Sequence, residues 1–525
     1  MRRVRTACAV IVWLAASFVA AAQSCDSCHD QAGKLPGTAH AAQACATCHP
    51  AREKYPHPEG GVTLSCETCH SAEADQTAIG VHGRARKQGN QAAPDCGTCH
   101  SGAHEVAQPG TTVFRRQIAQ TCGMCHSDQA RQFKAGVHGA AVERGVRDAP
   151  VCTDCHGEHA TVKPPARTIR ETCSRCHGNV EFTAKFGLPA DRVVSYEASF
   201  HGLAAETGSQ TVANCGSCHG VHQILPSSDP TSSIHSANLP ATCGSCHPGA
   251  GRRFSLGPVH VVEGRGEAGV VRVVRSFYIG VILLVIGLML LHNAGDWVRK
   301  AGRRTTPPPA TTAEVRMFPV ERVQHGLLVV SFVVLAWTGF ALKYPDQFWA
   351  RPLVAWESSW PVRGTVHRVA AGVFLATAAL HLISLLVSAR LREHWMSLAP
   401  RYSDLHEAMA TFAYNLGLRR RKPALSAHSY VEKTEYWALV WGAAIMSATG
   451  VVLWANTFFL AWLPKTAMDL ATVIHFYEAV LASLAIVVWH LYFVIFDPDV
   501  YPMNMAWLSG HAQRREGFDG GTGNN

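Results

Sequence analysis

Nine copies of one five-residue signal, C-x-x-C-H, lie between Cys25 and His247, and an ordinary apolar core cannot be built around them. The copies are Cys25/Cys28/His29, Cys45/Cys48/His49, Cys66/Cys69/His70, Cys96/Cys99/His100, Cys122/Cys125/His126, Cys152/Cys155/His156, Cys173/Cys176/His177, Cys215/Cys218/His219 and Cys243/Cys246/His247. They recur roughly once per 25 residues, too little chain to enclose a hydrophobic core for each. Two thiols followed at once by an imidazole make the attachment signature of c-type haem. The thiols form thioethers at the porphyrin edge, and the His ligates the iron from one face. C-x-x-C pairs also build zinc ribbons and redox disulfides. Zinc takes Cys pairs in fours, and neither use needs a His after every second Cys.

The motifs account for all but one of the 19 Cys, and the remaining one is Cys8. No Cys is therefore left beyond residue 22 for a structural disulfide or a further metal site. With nine haems in so short a segment, the porphyrins themselves become the core, wrapped by short helices and loops.

The segment is a degenerate repeat. Gly80-Val81-His82-Gly83 precedes Cys96, His100 and His104, Gly136-Val137-His138-Gly139 precedes Cys152, His156 and His159, and Ser199-Phe200-His201-Gly202 precedes Cys215, His219 and His222. One further motif lies between successive copies, so each unit carries two haems in a one-dimensional stack. Beyond the nine motif His, the segment holds ten more: His40, His57, His82, His104, His138, His159, His201, His222, His235 and His260. Nine second ligands are needed if every iron has two. The near match favours six-coordinate, low-spin haems that pass electrons and bind no substrate. His57 and His235 lie outside the repeats, and a solvated surface role serves them equally well.

Residues 1–22 have the build of a secretory signal: Arg2, Arg3 and Arg5, then an apolar run from Ala7 to Val19, then Ala20-Ala21-Ala22. An uncleaved anchor is the alternative. Either form exports residues 23–262 as a nonahaem domain. Residues 263–525 are apolar and hold five stretches long enough to span a bilayer, at about 273–292, 323–343, 365–388, 434–456 and 471–495. Arg299, Lys300, Arg303, Arg304, Arg316 and Arg322 fill the connection between the first and second spans. Arg390, Arg392, Arg401, Arg419, Arg420, Arg421, Lys422 and Lys433 fill that between the third and fourth. The other two connections carry only Arg351, Arg363 and Lys465. Positive loops stay inside, so the first span runs inward from an external haem domain and the C-terminus is cytoplasmic. The net charge of +9 is read as this topology rather than as nucleic-acid binding. Trp349, Trp356 and Trp360 would form an external interfacial belt or a floor under the haem domain.

Ionisable residues inside spans point to function. His367 and His381 share the third span, and His475 and His490 share the fifth. Their spacing along a helix rises about 21–22 Å, which suits two b-type haems stacked across the membrane. Thr338-Gly339 in the second span and Thr449-Gly450 in the fourth each precede a two-His helix. His325 opens the second span and has Tyr436 as its counterpart in the fourth. On this internal symmetry His381 would pair with His490. His292, at the inner end of the first span, reads as an interfacial cap before it reads as a ligand.

His325-Gly-Leu-Leu through Thr338-Gly339, with the His of the third and fifth spans, resembles the cytochrome b subunit of formate dehydrogenases and nickel–iron hydrogenases. The stretches YVEKTEYWALVWG (430–442) and WHLYFVIFDPDVYPMNMAWLSG (489–510), behind nine haem c motifs, resemble the inner-membrane multihaem c/b fusion cytochromes of metal-reducing bacteria. The subunit resemblance implies that His367 pairs with His475 near the periplasmic face and His325 with His490 near the cytoplasmic face. The displaced one of His325 and His381 would line a quinone pocket or hold a third haem b. The fold expected is mainly α: a haem-packed, loop-rich multihaem cytochrome c domain followed by a five-helix transmembrane bundle of cytochrome b type.

The fusion resemblance implies quinol oxidation in the inner membrane, with menaquinol as substrate and delivery to periplasmic c-type cytochromes in anaerobic respiration. Glu432, Lys433, Glu435, Asp497 and Asp499 cluster at the cytoplasmic ends of the last two spans, beside His325 and His381, and serve either a quinone site or the interface. Two other classes remain open. A terminal reductase of nitrite, hydroxylamine or a sulfur oxyanion needs one five-coordinate iron, against which the His supply argues. A quinone-reducing electron-entry subunit reverses the flow.

Overall fold

The structure, a computed structural model, describes residues 25–52, 55–57, 65–252, 255, 259–261, 267–301, 314–355, 361–426 and 428–512. The signal segment, Cys8, Arg303, Arg304, Trp356 and Trp360 lie outside the described residues.

The chain forms two compact units. One comprises residues 25–172 and 215–235. The other comprises 173–214 and the chain from 236 onward, so two C-x-x-C-H motifs group with the apolar helices.

In the first unit each motif occupies about one turn, as in Cys45–Cys48, Cys96–His100 and Cys152–His156. Longer helices are interrupted by the repeat signals, which open α1 (Val81–Lys87) and α2 (Val137–Glu143). The apolar core of this unit is Val142, Ala149 and Val151, with Ile118, Phe133, Ala141 and Val146 against it. At about 1.5–3 kcal/mol for a large buried side chain, against about 1–2 kcal/mol to order each residue, such a cluster cannot hold the unit. All 18 described Cys are free of disulfides. Among the described residues no group of three or more His, Cys, Asp or Glu gathers as a metal site. The first thiols instead lie motif against motif: Cys25 reaches Cys45, Cys66 reaches Cys96, and Cys122 reaches Cys152.

The second unit begins with motif-bearing segments that include α3 (Phe200–Glu206). Five long apolar helices follow: α4 (Gly269–Ala301), α5 (Pro319–Lys343), α6 (Val362–Val387), α9 (Tyr430–Trp454) and the helix Lys465–Phe496, whose regular part is α11 (Lys465–Ala485). Each is long and apolar enough to cross a membrane. They extend beyond the apolar stretches by several residues because polar caps prolong them. Glu321 accepts the Phe318 N–H at 2.7 Å, and Glu432 accepts the Ser429 N–H at 3.0 Å. Short helices α7 (Ala389–Met396) and α8 (Tyr402–Asn415) join α6 to α9, and α10 (Asn456–Leu460) joins α9 to α11.

α5 packs along α6 and α9 along α11, the two halves of the internal repeat, and α4 lies on α11. That last contact carries buried polar groups. Tyr492 donates to Asp296 at 2.8 Å, and Lys300 bridges Asp296 (2.6 Å) and Asp497 (2.8 Å). A two-residue antiparallel pairing, β1 (Glu314–Val315) with β2 (His511–Ala512), clips the chain end to the start of α5. Beyond Ala485 the fifth helix widens into π turns, Ile486–His490 and Tyr492–Phe496. Fifteen residues of ideal α-helix would leave His475 and His490 about 60° apart around the axis. The wider turns bring them back toward one face.

Candidate redox sites

The protein chain does not enclose the second thiol of any motif. Cys28, Cys48, Cys69, Cys99, Cys125, Cys155 and Cys246 are exposed, and Cys176 and Cys218 are half-buried. The reason is local. The N–H groups of Cys28, Cys69, Cys125 and Cys246 bond to the carbonyls of Cys25, Cys66, Cys122 and Cys243 at 3.2–3.3 Å, closing each turn within three residues. Cys155, Cys176 and Cys218 sit in the last turn of the helices Cys152–His156, Ala166–His177 and Cys215–His219. Segments this short and polar supply nothing apolar to cover the second sulfur. Ser27 Oγ lies 3.7 Å from Cys28 Sγ, and Ser245 Oγ lies 3.8 Å from Cys246 Sγ. A sulfur that is to bond to a porphyrin edge must in any case stay clear of other side chains.

An imidazole nitrogen holds a first-row metal at about 2 Å and its ring centre lies roughly 1 Å further back, so two imidazoles sharing one metal stand with centroids about 6 Å apart. Seven motif His have a partner at that separation. His29 faces His57 at 6.0 Å, His70 faces His40 at 6.2 Å, His49 faces His104 at 6.0 Å and His126 faces His82 at 6.2 Å. His100 faces His159 at 6.0 Å, His156 faces His222 at 6.1 Å, and His247 faces His201 at 6.1 Å. His138, His177, His219, His235 and His260 are also engaged rather than free. His260 Nδ1 bonds to Ser195 Oγ at 2.8 Å. Burial, then the neighbouring His247, holds His201 below the usual imidazole range; burial, then His159, does the same for His100. Both effects keep a nitrogen lone pair available to a metal.

Neighbouring pairs are tied by a recurring backbone bond. The residue before one second His donates its N–H to the carbonyl two residues beyond another. Ala39 bonds to Val106 O, Val81 to Thr161 O and Val137 to Ile224 O, each at 2.8 Å. His40 thereby sits beside His104, His82 beside His159 and His138 beside His222. The first bridge reveals a copy of the repeat, Thr38-Ala39-His40, too degenerate to see in the sequence. Glycine at the other two is required by the close approach. A Cβ on Gly80 would stand 2.9 Å from His159 O, and one on Gly136 3.0 Å from Ile224 N.

The bundle repeats one device twice. Thr338 Oγ1 donates to Val334 O at 2.6 Å and so accepts from His367 Nδ1 at 2.8 Å. Thr449 Oγ1 donates to Ile445 O at 2.7 Å and accepts from His475 Nδ1 at 2.9 Å. Each hydroxyl fixes the tautomer and leaves Nε2 bare. The following glycines make room: a Cβ on Gly339 would meet His367 Cε1 at 3.5 Å, and one on Gly450 would meet His475 Cε1 at 3.3 Å. This explains the Thr-Gly pairs. The same end of the bundle meets the last motif, where a Cβ on Gly249 would lie 3.9 Å from Thr457 O and Ala461 Cβ.

The second membrane pair is His325 with His490, at 6.4 Å between centroids. His490 Nδ1 lies 3.3 Å from Glu435 Oε2. His381 is turned elsewhere. Its Nδ1 meets Gln324 Oε1 and its Nε2 meets Tyr436 Oη, both at 3.3 Å, while Trp395 lies edge-on at 4.8 Å. Trp395 also lies against Tyr436 at 4.4 Å with the rings tilted by 34°, and its Nε1 is buried with no hydrogen-bond partner among the described residues. The result is a box of aromatic and polar side chains around His381, in which Gln324 precedes His325 in the chain and Tyr436 follows Glu435.

His292 is buried, with Nε2 2.7 Å from Tyr430 Oη and Nδ1 3.2 Å from Asn293 Oδ1. Lys433 is spent on Asp404 at 2.7 Å, and Glu432 caps α9 and pairs with Arg316 at 3.3 Å. Asp497 is tied to Lys300. Gln324, Trp395, Thr338 and Thr449 were not singled out from the sequence. Only the repeated Thr-Gly hinted at two of them.

Residues 316–501 match the family model described as prokaryotic cytochrome b561, and residues 146–248 match that described as cytochrome c3. The chain matches no curated protein and no solved structure. The first match spans the helices that carry all four paired membrane His, and the second spans four of the nine haem c motifs. With five bilayer-length helices behind a Cys- and His-rich region, the chain is a multihaem c/b fusion, a membrane electron-transfer cytochrome with haem b and haem c.

Proposed function

We propose that the chain is a quinol-oxidising cytochrome of the bacterial inner membrane. It takes electrons from menaquinol in the quinone pool and delivers them, by way of two b-type and nine c-type haems, to periplasmic c-type cytochromes. The observation that carries this reading is the box of His381, Tyr436, Gln324 and Trp395 beside the His325/His490 pair.

Bound haem iron supplies one-electron exchange between its ferric and ferrous states. The residues supply the rest. His367 with His475, and His325 with His490, would hold the two membrane haems. In the external domain the motif His and the second His facing them would do the same, with two of His138, His235 and His260 left to serve His177 and His219. There the two thiols of each motif tether the porphyrin edge, and the accessible second thiols, from Cys28 to Cys246, are open to that bond. A quinol ring fits against Trp395, with one hydroxyl toward His381 Nε2 and Tyr436 Oη and an oxygen within reach of the unpartnered Trp395 N–H. Oxidation of one quinol to quinone releases two electrons and two protons. His381 is placed to take the first proton. His394 and His428 stand 5.5 Å apart, and His428 reaches Glu432 at 3.8 Å, which gives protons a file of acceptors away from the box. The positive loops argue for this end on the cytoplasmic side, and Gly249 against α10 sets the last haem c motif at the opposite end of the bundle.

Stopped-flow mixing of the purified protein with menaquinol tests the reading. Prompt reduction of haem b followed by haem c is expected. Haems that stay oxidised, in a protein whose dithionite-reduced form menaquinone rapidly reoxidises, would instead establish a quinone reductase.

A further inference from the structure

The two membrane pairs, His367 with His475 and His325 with His490, stand in different electrostatic surroundings. His490 has a carboxylate behind it, Glu435 Oε2 at 3.3 Å from Nδ1. Glu435 Oε1 is buried and has no hydrogen-bond partner among the described residues, so the charge is not shared with another donor there. His325 Nδ1 is likewise buried without a described partner. Behind His367 and His475 stand neutral hydroxyls, Thr338 and Thr449. The cations on that side are Arg363, only 8% exposed, whose Nη1 donates to Thr338 O at 3.3 Å, and Arg368, beside His367.

We propose that this asymmetry orders the two haem b potentials, with the His325/His490 site the lower and the His367/His475 site the higher. The proposal rests on the reading that both pairs hold haem b, and it deepens that reading by giving electron flow a direction. A carboxylate that accepts the second N–H of a ligating imidazole raises the ligand's basicity. A more basic ligand and a nearby negative charge both favour the ferric state, which lowers the potential. A buried guanidinium is always charged and favours the ferrous state, which raises it. Glu478 also lies in the bundle, one turn beyond His475; Tyr278 donates to its Oε2 at 2.9 Å, and its charge offsets part of that of the two arginines, whereas Glu435 stands directly on the His490 nitrogen. Electrons entering beside His381 and Tyr436 then run downhill toward the end of the bundle where Gly249 rests on α10. Glu435 acts here as a positioning residue, through His490.

The test is anaerobic potentiometry of the full-length protein, read from its haem b absorbance, after a haemochrome assay has counted haem b. Fewer than two haem b in the wild type would sink the site assignment itself. With two present, Glu435→Gln should raise the lower of the two waves by about tenfold in the one-electron equilibrium constant, or 59 mV, and leave the upper wave in place. An E435Q protein with both haems and unchanged waves, or with only the upper wave moved, overturns the order. Should E435Q lose haem b, Arg363→Gln decides: it must lower the upper wave alone, and a shift confined to the lower wave, or none, refutes the proposal.

Discussion

The imidazoles of His49 and His104 face one another with centroids 6.0 Å apart and planes only 11° from parallel. The two residues come from different motif segments, so one iron would join stretches of chain far apart in sequence. Replacing His104 with Ala should open one coordination position. One of the c-type haems should then change from low to high spin in its electron paramagnetic resonance spectrum. H104M should keep six ligands and raise the potential of the same haem. A fully low-spin H104A protein would remove His104 from the ligand set.

Thr449 and Gly450 act on the same imidazole in different ways. Thr449→Val leaves the His475 N–H without an acceptor, at a cost of about 1–3 kcal/mol. Haem b retention at that site should fall by roughly tenfold or more, measured as haem b per protein after dilution in detergent. Gly450→Ala places a methyl 3.3 Å from His475 Cε1 and should also deplete that site while sparing the other. Full haem b occupancy in both variants would show that neither residue positions His475.

His381 and Tyr436 are expected to act on quinol rather than on haem. H381L and Y436F should keep two haem b by haemochrome assay. Their KM for menaquinol should rise about tenfold, or 1.4 kcal/mol. Loss of one haem b in H381L would make His381 a ligand instead.

Asp404 and Lys433 tie α8 to α9 at 2.7 Å. Burial pushes the Asp404 carboxyl up, but hydrogen bonds from Lys433 and the Arg401 N–H outweigh it and hold the group below the usual carboxylate range. The folded pKa lies below the unfolded value of about 3.9, so this stabilisation is present above about pH 4 and disappears as the pH falls through the folded pKa. Thermal unfolding in detergent should show an acid limb that is shallower in D404N, which should also unfold earlier at neutral pH. An unchanged acid limb would assign that pH dependence to other carboxylates.

Much of this arrangement was legible in the residues. The nine motifs announce themselves locally, and the five spans need only length and hydropathy. Pairing was not legible, because His29 meets His57 and His100 meets His159 through tertiary packing that spacing alone does not encode. The exposure of thiols such as Cys69 and Cys125 was not legible either, since it follows from how tightly each motif turn closes. His57 looked like a surface residue since it lies outside the recognisable repeat. Helical symmetry suggested His381 for His490. The π turns after Ala485 and the early start of α5 instead bring His325 to that position, and π turns have no strong sequence signature. The box around His381 was hidden because Trp395 comes from a short helix with no motif of its own, and Gln324 is masked by the His325 beside it.

The three backbone bonds that join Ala39 to Val106, Val81 to Thr161 and Val137 to Ile224 make each pair's geometry depend on its neighbour's. A chain with one vacant attachment site therefore loosens more than that site. With so few apolar contacts to fall back on, an incompletely matured molecule exposes its loops to proteases, whereas a complete one does not. Quality control of the finished cofactor chain is in this way written into the same few amides that align it.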